Sequence, residues 1–379
     1  MINKIDPQLL QRVKILTTYK TQEVIVFLRD FCTGKHFIQN FDDCSILGEY
    51  PFIRALAVSV KQNELFRLAS QTQVEYVASV MCAKTLMYNA RKKINVDNLH
   101  KKGITGKGVT VAVIDTGCYP HIDFLLGKSR VKKFVDFVAS KVSLYDDNGH
   151  GTFVTGVLGG SGLVSNGRYV GIAPDCEIVV LKALNADGQT QAFKVLDAMQ
   201  WIYENRFLYN IRVVCMSFGS TPLAKNDPLT MGANSLWDAG IVVVGAVGND
   251  GPKSGSVKSP GSSSKIITVG CADTRGEQVK IAEFSSRGPI FELVKPDLVA
   301  PGVEITSLSN SKSFYTKMTG SSVSAPFVAG ASALLLQQNK MLTPNQVKSL
   351  LMTSTIKLPF GVNDCGAGLI DFSNFELSL

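Results

Sequence analysis

From Gly108 onward the chain alternates two textures. Short, almost wholly apolar runs, GVTVAVIDTG (108–117), EIVVLKAL (177–184), IRVVCMSFG (211–219), GIVVVGAVGN (240–249) and KIITVGCA (265–272), are separated by glycine-rich turns. Between them lie amphipathic stretches such as QAFKVLDAMQWIYENRF (191–207) and TPNQVKSLLMTST (343–355). Strands that lack polar alternation are those covered on both faces, as in a parallel sheet. Their alternation with helical stretches predicts a doubly wound, mostly parallel α/β domain over residues 108–379. In the last stretch Thr343 suits an N-cap, Pro344 the first helical turn and Gln346 a capping box.

Residues 1–88 have a different rhythm. Helix-like DPQLLQRVKILTTY (6–19), strand-like EVIVFL (23–28) and IRALAVSV (53–60), helix-like KQNELFRLASQ (61–71) and strand-like VEYVASVM (74–81) predict a small α+β unit. Residues 89–107 carry RKK (91–93) and HKK (100–102) and read as a solvated basic linker.

Composition narrows the classes. With 45% hydrophobic and 18% charged residues among 379, the chain can bury large cores and is not a disordered protein. The N-terminus lacks the uninterrupted apolar stretch of a signal peptide, and no segment approaches the ~20 apolar residues of a membrane span. The eight cysteines are scattered singly, without the paired spacing of a zinc site. Together these predict a cytoplasmic protein with reduced thiols. The net charge of +8 has no aromatic interleaving in its densest cluster, so neither a nucleic acid nor a membrane is expected as a partner.

In a doubly wound sheet, catalytic groups gather at the carboxyl ends of the strands. Asp115 ends VTVAVID, Ser217 ends RVVCMS, and Asn249 follows IVVVGAVG. Of the four histidines, His36 lies in the first unit, His100 in the basic stretch and His121 in a turn beside Pro120, whereas His150 sits in DDNGHGTFVTGVLGG between Gly149 and Gly151. Ser322 stands in GSSVSAPFVAG, before an apolar helix-like run. Each residue has an ordinary reading: a turn aspartate, a loop histidine, a turn asparagine, an N-cap serine. Their joint occurrence supplies what a hydrolytic serine needs, namely a base, a carboxylate to orient it and a donor for the oxyanion.

The segments VAVIDTG, DDNGHGTFVTG, MSFG, AVGNDG and GSSVSAPFVAGASALLL resemble, in order and spacing, the signatures of the subtilases, the subtilisin-like serine proteases, from about Gly103 to Ile370. GKGVTVAVIDTGCYPHIDF, YDDNGHGT, EFSSRGP and KPDLVAPGV are most similar to the AprX-type intracellular members. The resemblance implies a serine endopeptidase acting on polypeptides, with Ser322 as nucleophile, His150 as general base, Asp115 as its orienting carboxylate and Asn249 in the oxyanion hole. It implies an extended substrate paired with Ser217, Phe218 and Gly219 on one side and with residues 185–190, including Gly188, on the other. The pocket walls fall near Val247 and Gly248, with Lys258 at the base, where it would either attract acidic side chains, narrow the pocket with its stem or point to solvent.

Residues 1–88 resemble a subtilase propeptide, a ferredoxin-like chaperone and inhibitor, so a self-processed zymogen cut near residues 85–89 is expected. No cofactor is expected. The loop SGLVSNGRYVGIAP (161–174) lacks the asparagine-rich character of the strong calcium loop of secreted subtilisins; Asp123 remains as a candidate oxygen ligand, and calcium is open but not supported by the sequence. Departures from the family pattern, Ser321, Val323 and Ser324 around the nucleophile and Phe153 and Thr155 behind the base, keep open a catalytically silent, protease-like binding protein with the prodomain retained in the groove.

Overall fold

A computed structural model of the chain describes residues 4–5, 21–79, 86–125, 129–222, 227–311, 314–373 and 375. These fall into two compact units, Met1–Lys84 and Thr85–Leu379, each with its own hydrophobic core. The helix expected over 6–19 lies outside the described residues, as does Thr85, the first residue of the expected processing segment.

In the first unit β1 (Thr21–Leu28), α1 (Phe31–Gln39), β2 (Cys44–Tyr50), β3 (Ala55–Lys61), α2 (Leu65–Ser70) and β4 (Val74–Ser79) follow one another. The sheet has the order β2-β3-β1-β4 and is antiparallel throughout, the ferredoxin-like arrangement. Val24, Val26 and Leu28 of β1 and Leu56, Val58 and Val60 of β3 alternate into the core, as one face of a half-buried sheet requires. Strand β2 escapes the sequence because it is an edge with no fully buried position.

The second unit is built on a ten-stranded sheet. Its parallel body runs β6 (Val131–Asp136), β7 (Glu177–Lys182), β5 (Thr110–Asp115), β8 (Ile211–Met216), β9 (Val242–Ala246), β10 (Ile267–Asp273), β12 (Leu298–Pro301) and β16 (Leu369–Ile370). Short antiparallel additions, β11 (Lys280–Ile281) on β10 and β15 (Thr355–Ile356) on β16, trim it, and β13 (Ile305–Leu308) and β14 (Tyr315–Met318) form a separate hairpin. The five apolar runs of the sequence are β5, β7, β8, β9 and β10, nearly all of whose positions are buried. The chain leaves β5, builds β6 and β7 on one side of it, then crosses to β8 on the other, so β5 and β8 flank the switch point where such folds bind ligands.

The helices of this unit are α3 (Leu86–Lys93), α4 (Val96–Lys101), α5 (Ile122–Leu125), α6 (His150–Gly159), α7 (Ala192–Asn205), α8 (Pro228–Asp238), α9 (Ser321–Gln338) and α10 (Pro344–Thr353), with α6 and α9 against the central strands. Both hydrogen bonds of the Thr343–Gln346 capping box are formed. The stretch 89–107 is not a solvated linker. It carries most of α3 and all of α4, with Ala90, Ile94, Val96 and Leu99 buried and the His100 ring bonded to Ile172 O at 2.8 Å. Its few apolar residues fall on one face, which a count of charges overlooks. Among the described residues no helix is long and apolar enough to cross a membrane.

Candidate active site

Asp115 closes β5 with a fully buried carboxylate. Its Oδ1 accepts the Thr116 N–H at 2.8 Å and stands 2.8 Å from His150 Nδ1. Glycine makes that approach feasible: Gly149, the N-cap of α6, has φ +105°, and a Cβ on Gly151 would lie 2.2 Å from Gly117 O. The backbone carrying the carboxylate and the backbone carrying the imidazole are therefore in direct contact.

Asp146 was not among the residues singled out in the sequence, although it stands in the same DDNGHG segment. Its buried carboxylate accepts from Thr116 Oγ1, Asn148 N and Gly149 N on one oxygen, and from Thr152 N and Thr152 Oγ1 on the other, at 2.6 to 3.1 Å. Burial raises its pKa, but these donors outweigh burial and hold it below the usual carboxylate range. For His150 burial disfavours the charged ring, yet the hydrogen-bonded Asp115 and the nearby Asp146 more than compensate, so its pKa lies above the ordinary value.

Ser322 is the second residue of α9, a helix buried along almost its whole length. Pro326 has no N–H to offer the Ser322 carbonyl four residues earlier, so that carbonyl lacks its usual helical partner. Asn249, just beyond β9, accepts the Ser321 N–H at 2.9 Å through Oδ1, while Ser321 Oγ accepts the Gly248 N–H at 3.1 Å. This anchoring turns Asn249 Nδ2 toward the serine. A Cβ built on Gly320 would meet Ser322 Oγ at 3.1 Å, Asn249 Nδ2 at 3.4 Å and Ser322 N at 3.8 Å. A hydroxyl, a side-chain amide and a backbone N–H thus surround one small space at a helix N-terminus, the positive end of the helix dipole. Phe153 and Thr155 are buried in α6, and Thr155 Oγ1 returns to Gly151 O at 2.7 Å.

The remaining expected residues divide. The Lys258 stem runs between Gly219 and Gly248, where added Cβ atoms would lie 2.6 Å from Lys258 Cβ and 2.5 Å from Lys258 Cγ, and its Nζ meets Asp250 Oδ2 at 2.5 Å and Thr221 Oγ1 at 3.1 Å. Ser217 is buried and Phe218 packs on the core. Val247 is buried, and its N–H and C=O are taken by Val269 and Lys258. Residues 185–190 form no strand. Asn185 Oδ1 accepts the Asp187 and Gln189 N–H groups, Asn185 N donates to Gln189 O at 2.9 Å, and Gly188 occupies the resulting turn at φ +72°. An asparagine that caps its own backbone wins here over extension.

Asp123 is tied into the loop that follows α6. Its carboxylate accepts the Gly162 N–H at 2.7 Å and the Val164 N–H at 3.2 Å. Arg130 donates at 2.6 Å to both Asp123 O and Gly159 O. Gly160 O, Gly162 O, Leu163 O and Ser165 O all accept N–H groups within the loop. Calcium takes about six to eight oxygens, and the oxygens named here already accept hydrogen bonds from the loop or from Arg130. Among the described residues no group of three or more His, Cys, Asp or Glu side chains is placed to hold a metal.

The subtilase family profile matches residues 106–368. The serine protease AprX of Bacillus subtilis is 38% identical over 95% of this chain and 88% of its own length. A thermostable alkaline protease of Halalkalibacterium halodurans is 30% identical over 81% of this chain and 79% of its own length. The crystal structure of a cold-adapted subtilisin-like serine proteinase superposes with a TM-score of 0.59 at 29% identity, covering 70% of this chain and 89% of that one. Sequence and fold agree: the chain belongs to the subtilase family and is a subtilisin-like serine protease.

Proposed function

We propose that Asp115, His150 and Ser322 are the catalytic triad of an endopeptidase acting on extended polypeptides. Ser322 Oγ attacks the scissile carbonyl as His150 takes its proton, and Asp115 holds the ring and compensates the imidazolium. Asn249 Nδ2 and the Ser322 N–H donate to the tetrahedral oxyanion. His150 then protonates the departing amine, and water hydrolyses the acyl-enzyme along the same route. The observation that carries the reading is the convergence of Ser322 Oγ, Ser322 N and Asn249 Nδ2 around Gly320, combined with the 2.8 Å contact of His150 with Asp115.

Ser217–Gly219 and the segment reaching Gly188 line the substrate backbone in this reading, with the Lys258 stem as the floor of the pocket between Gly219 and Gly248. The first unit acts as chaperone and inhibitor, released by a cut near residues 85–89, and the protease works in the cytoplasm without a metal. The test is intact mass and N-terminal sequencing of freshly expressed wild type beside Ser322→Ala. Cleavage near 85–89 in the wild type alone supports self-processing; identical full-length chains in both discard it.

A further inference from the structure

Lys182 ends β7 and lies opposite Asp115 in the parallel register of β5 and β7. Its side chain is fully buried. Nζ donates to Thr116 O at 2.6 Å, to Asp147 Oδ1 at 2.6 Å and to Leu184 O at 3.0 Å, with the Tyr145 ring centroid 5.0 Å away. An ammonium has three protons, and here each has an acceptor. Burying a charge is costly, and a well-packed apolar residue usually serves stability as well or better. A lysine at this position therefore calls for a role beyond filling space.

The three acceptors belong to three parts of the site. Thr116 follows Asp115, Asp147 leads into His150, and Leu184 opens the segment that turns at Gly188. Thr116 is held on all sides: its N–H binds Asp115 Oδ1, its Oγ1 donates to Asp146 and accepts the Gly151 N–H, and its carbonyl accepts from Lys182. Asn148, next to Asp147, accepts the His150 N–H at 3.1 Å and donates to Ala186 O at 2.8 Å.

We infer that Lys182 is a positioning residue for the reaction: its buried ammonium ties the Asp115 turn, the His150 loop and the Leu184 segment into one block that sets how imidazole and carboxylate meet. Lys182 touches no reacting atom. The inference rests on the roles proposed for Asp115 and His150 and adds a group outside the catalytic set.

The test removes the charge pair together, Lys182→Met with Asp147→Asn, so that neither charge is stranded, and reads two quantities. The first is kcat and KM on a peptide substrate. The second is the His150 titration followed by NMR of the imidazole signals, tractable in a chain with four histidines. With folding verified by circular dichroism, kcat is expected to fall about 10- to 100-fold, as a misplacement near 1 Å can produce. KM should move less, and His150 should titrate lower by about half a unit or more as its bond to Asp115 loosens. A folded double variant with kcat within about twofold of wild type and an unmoved His150 titration overturns the inference. If the double variant does not fold, Asp147→Ala alone, at a side chain 43% exposed, carries the test by removing the Lys182 acceptor on the His150 loop: a several-fold loss of kcat is expected, and unchanged kcat overturns it. Failure of the proposed triad itself would show separately, as Ser322→Ala retaining wild-type turnover, while the His150 titration still reports on Lys182.

Discussion

Replacing Asn249 with alanine removes two things at once. It takes away Nδ2, which lies 3.4 Å from the point beside Gly320 where Ser322 Oγ and Ser322 N also converge, and it takes away Oδ1, which anchors the Ser321 N–H at 2.9 Å. The first interaction strengthens only when the carbonyl oxygen becomes an oxyanion, so its loss should appear in kcat and leave KM nearly unchanged. For the corresponding donor in subtilisin, loss costs about 10²–10³ in kcat, roughly 2.7–4 kcal/mol, and the same range is expected here. Asn249→Asp keeps the acceptor for Ser321 N–H but puts negative charge beside the developing oxyanion, so it should be the more damaging of the two. Gly320→Ala provides a steric counterpart, because its Cβ would sit 3.1 Å from Ser322 Oγ, inside the same space; it should lower kcat more than KM while the melting temperature changes little. The assay is steady-state kinetics on a peptide amide with active sites titrated. A fall confined to KM, or an alanine variant within about threefold of wild-type kcat, would refute the assignment of Asn249 to the oxyanion.

Three further outcomes follow from the site. His150 must be neutral to accept a proton, and its pKa is raised by Asp115 and Asp146 despite burial, so the acid limb of kcat/KM should lie above the ordinary histidine value of 6.5. The matching stabilisation of the fold is complete below that ordinary value and fades as pH rises through the raised one; a flat rate profile from about pH 5 to 9 would exclude His150 as the base. With the Lys258 ammonium held by Asp250 and Thr221, the wild type should show no preference for acidic side chains, whereas Asp250→Asn should raise kcat/KM for glutamate relative to leucine several-fold in paired peptides; an unchanged ratio contradicts the pocket reading. Because Arg130 and loop N–H groups occupy the oxygens and carboxylate around Asp123, EDTA and added calcium should leave the melting temperature unchanged, and Arg130→Ala should lower it without rescue by calcium. A calcium-dependent rise that vanishes in Asp123→Asn would show that the loop binds the ion.

What was legible in the sequence is what local pattern encodes. Strands β5, β7, β8, β9 and β10 are buried on both faces, so their apolar runs stand out without an alignment, and the glycines at 149, 151 and 320 mark the close approaches around His150 and Ser322. Edge strands β2 and β6 carry mixed, half-exposed residues and give a weak signal. The region of α3 and α4 hides behind its charges, although Ala90, Ile94, Val96 and Leu99 are buried. Asp146, Arg130 and Lys182 were passed over for a different reason. Their importance lies in partners 6 to 66 positions away, such as Thr152 for Asp146, Gly159 for Arg130 and Thr116 for Lys182, and side-chain bonds of that kind leave no periodicity. The same holds for Lys258, whose contact with Asp250 no local pattern announces.

The central claim is that Ser322 is a nucleophile activated by His150. Its most direct test is labelling of the purified protein with a fluorophosphonate probe, followed by peptide mapping of the adduct in wild type, His150→Ala and Ser322→Ala. The account predicts a single adduct on Ser322 in the wild type, labelling slowed by several orders of magnitude without His150, and none in Ser322→Ala. An unlabelled Ser322 in folded wild type, or equal labelling with and without His150, would contradict it.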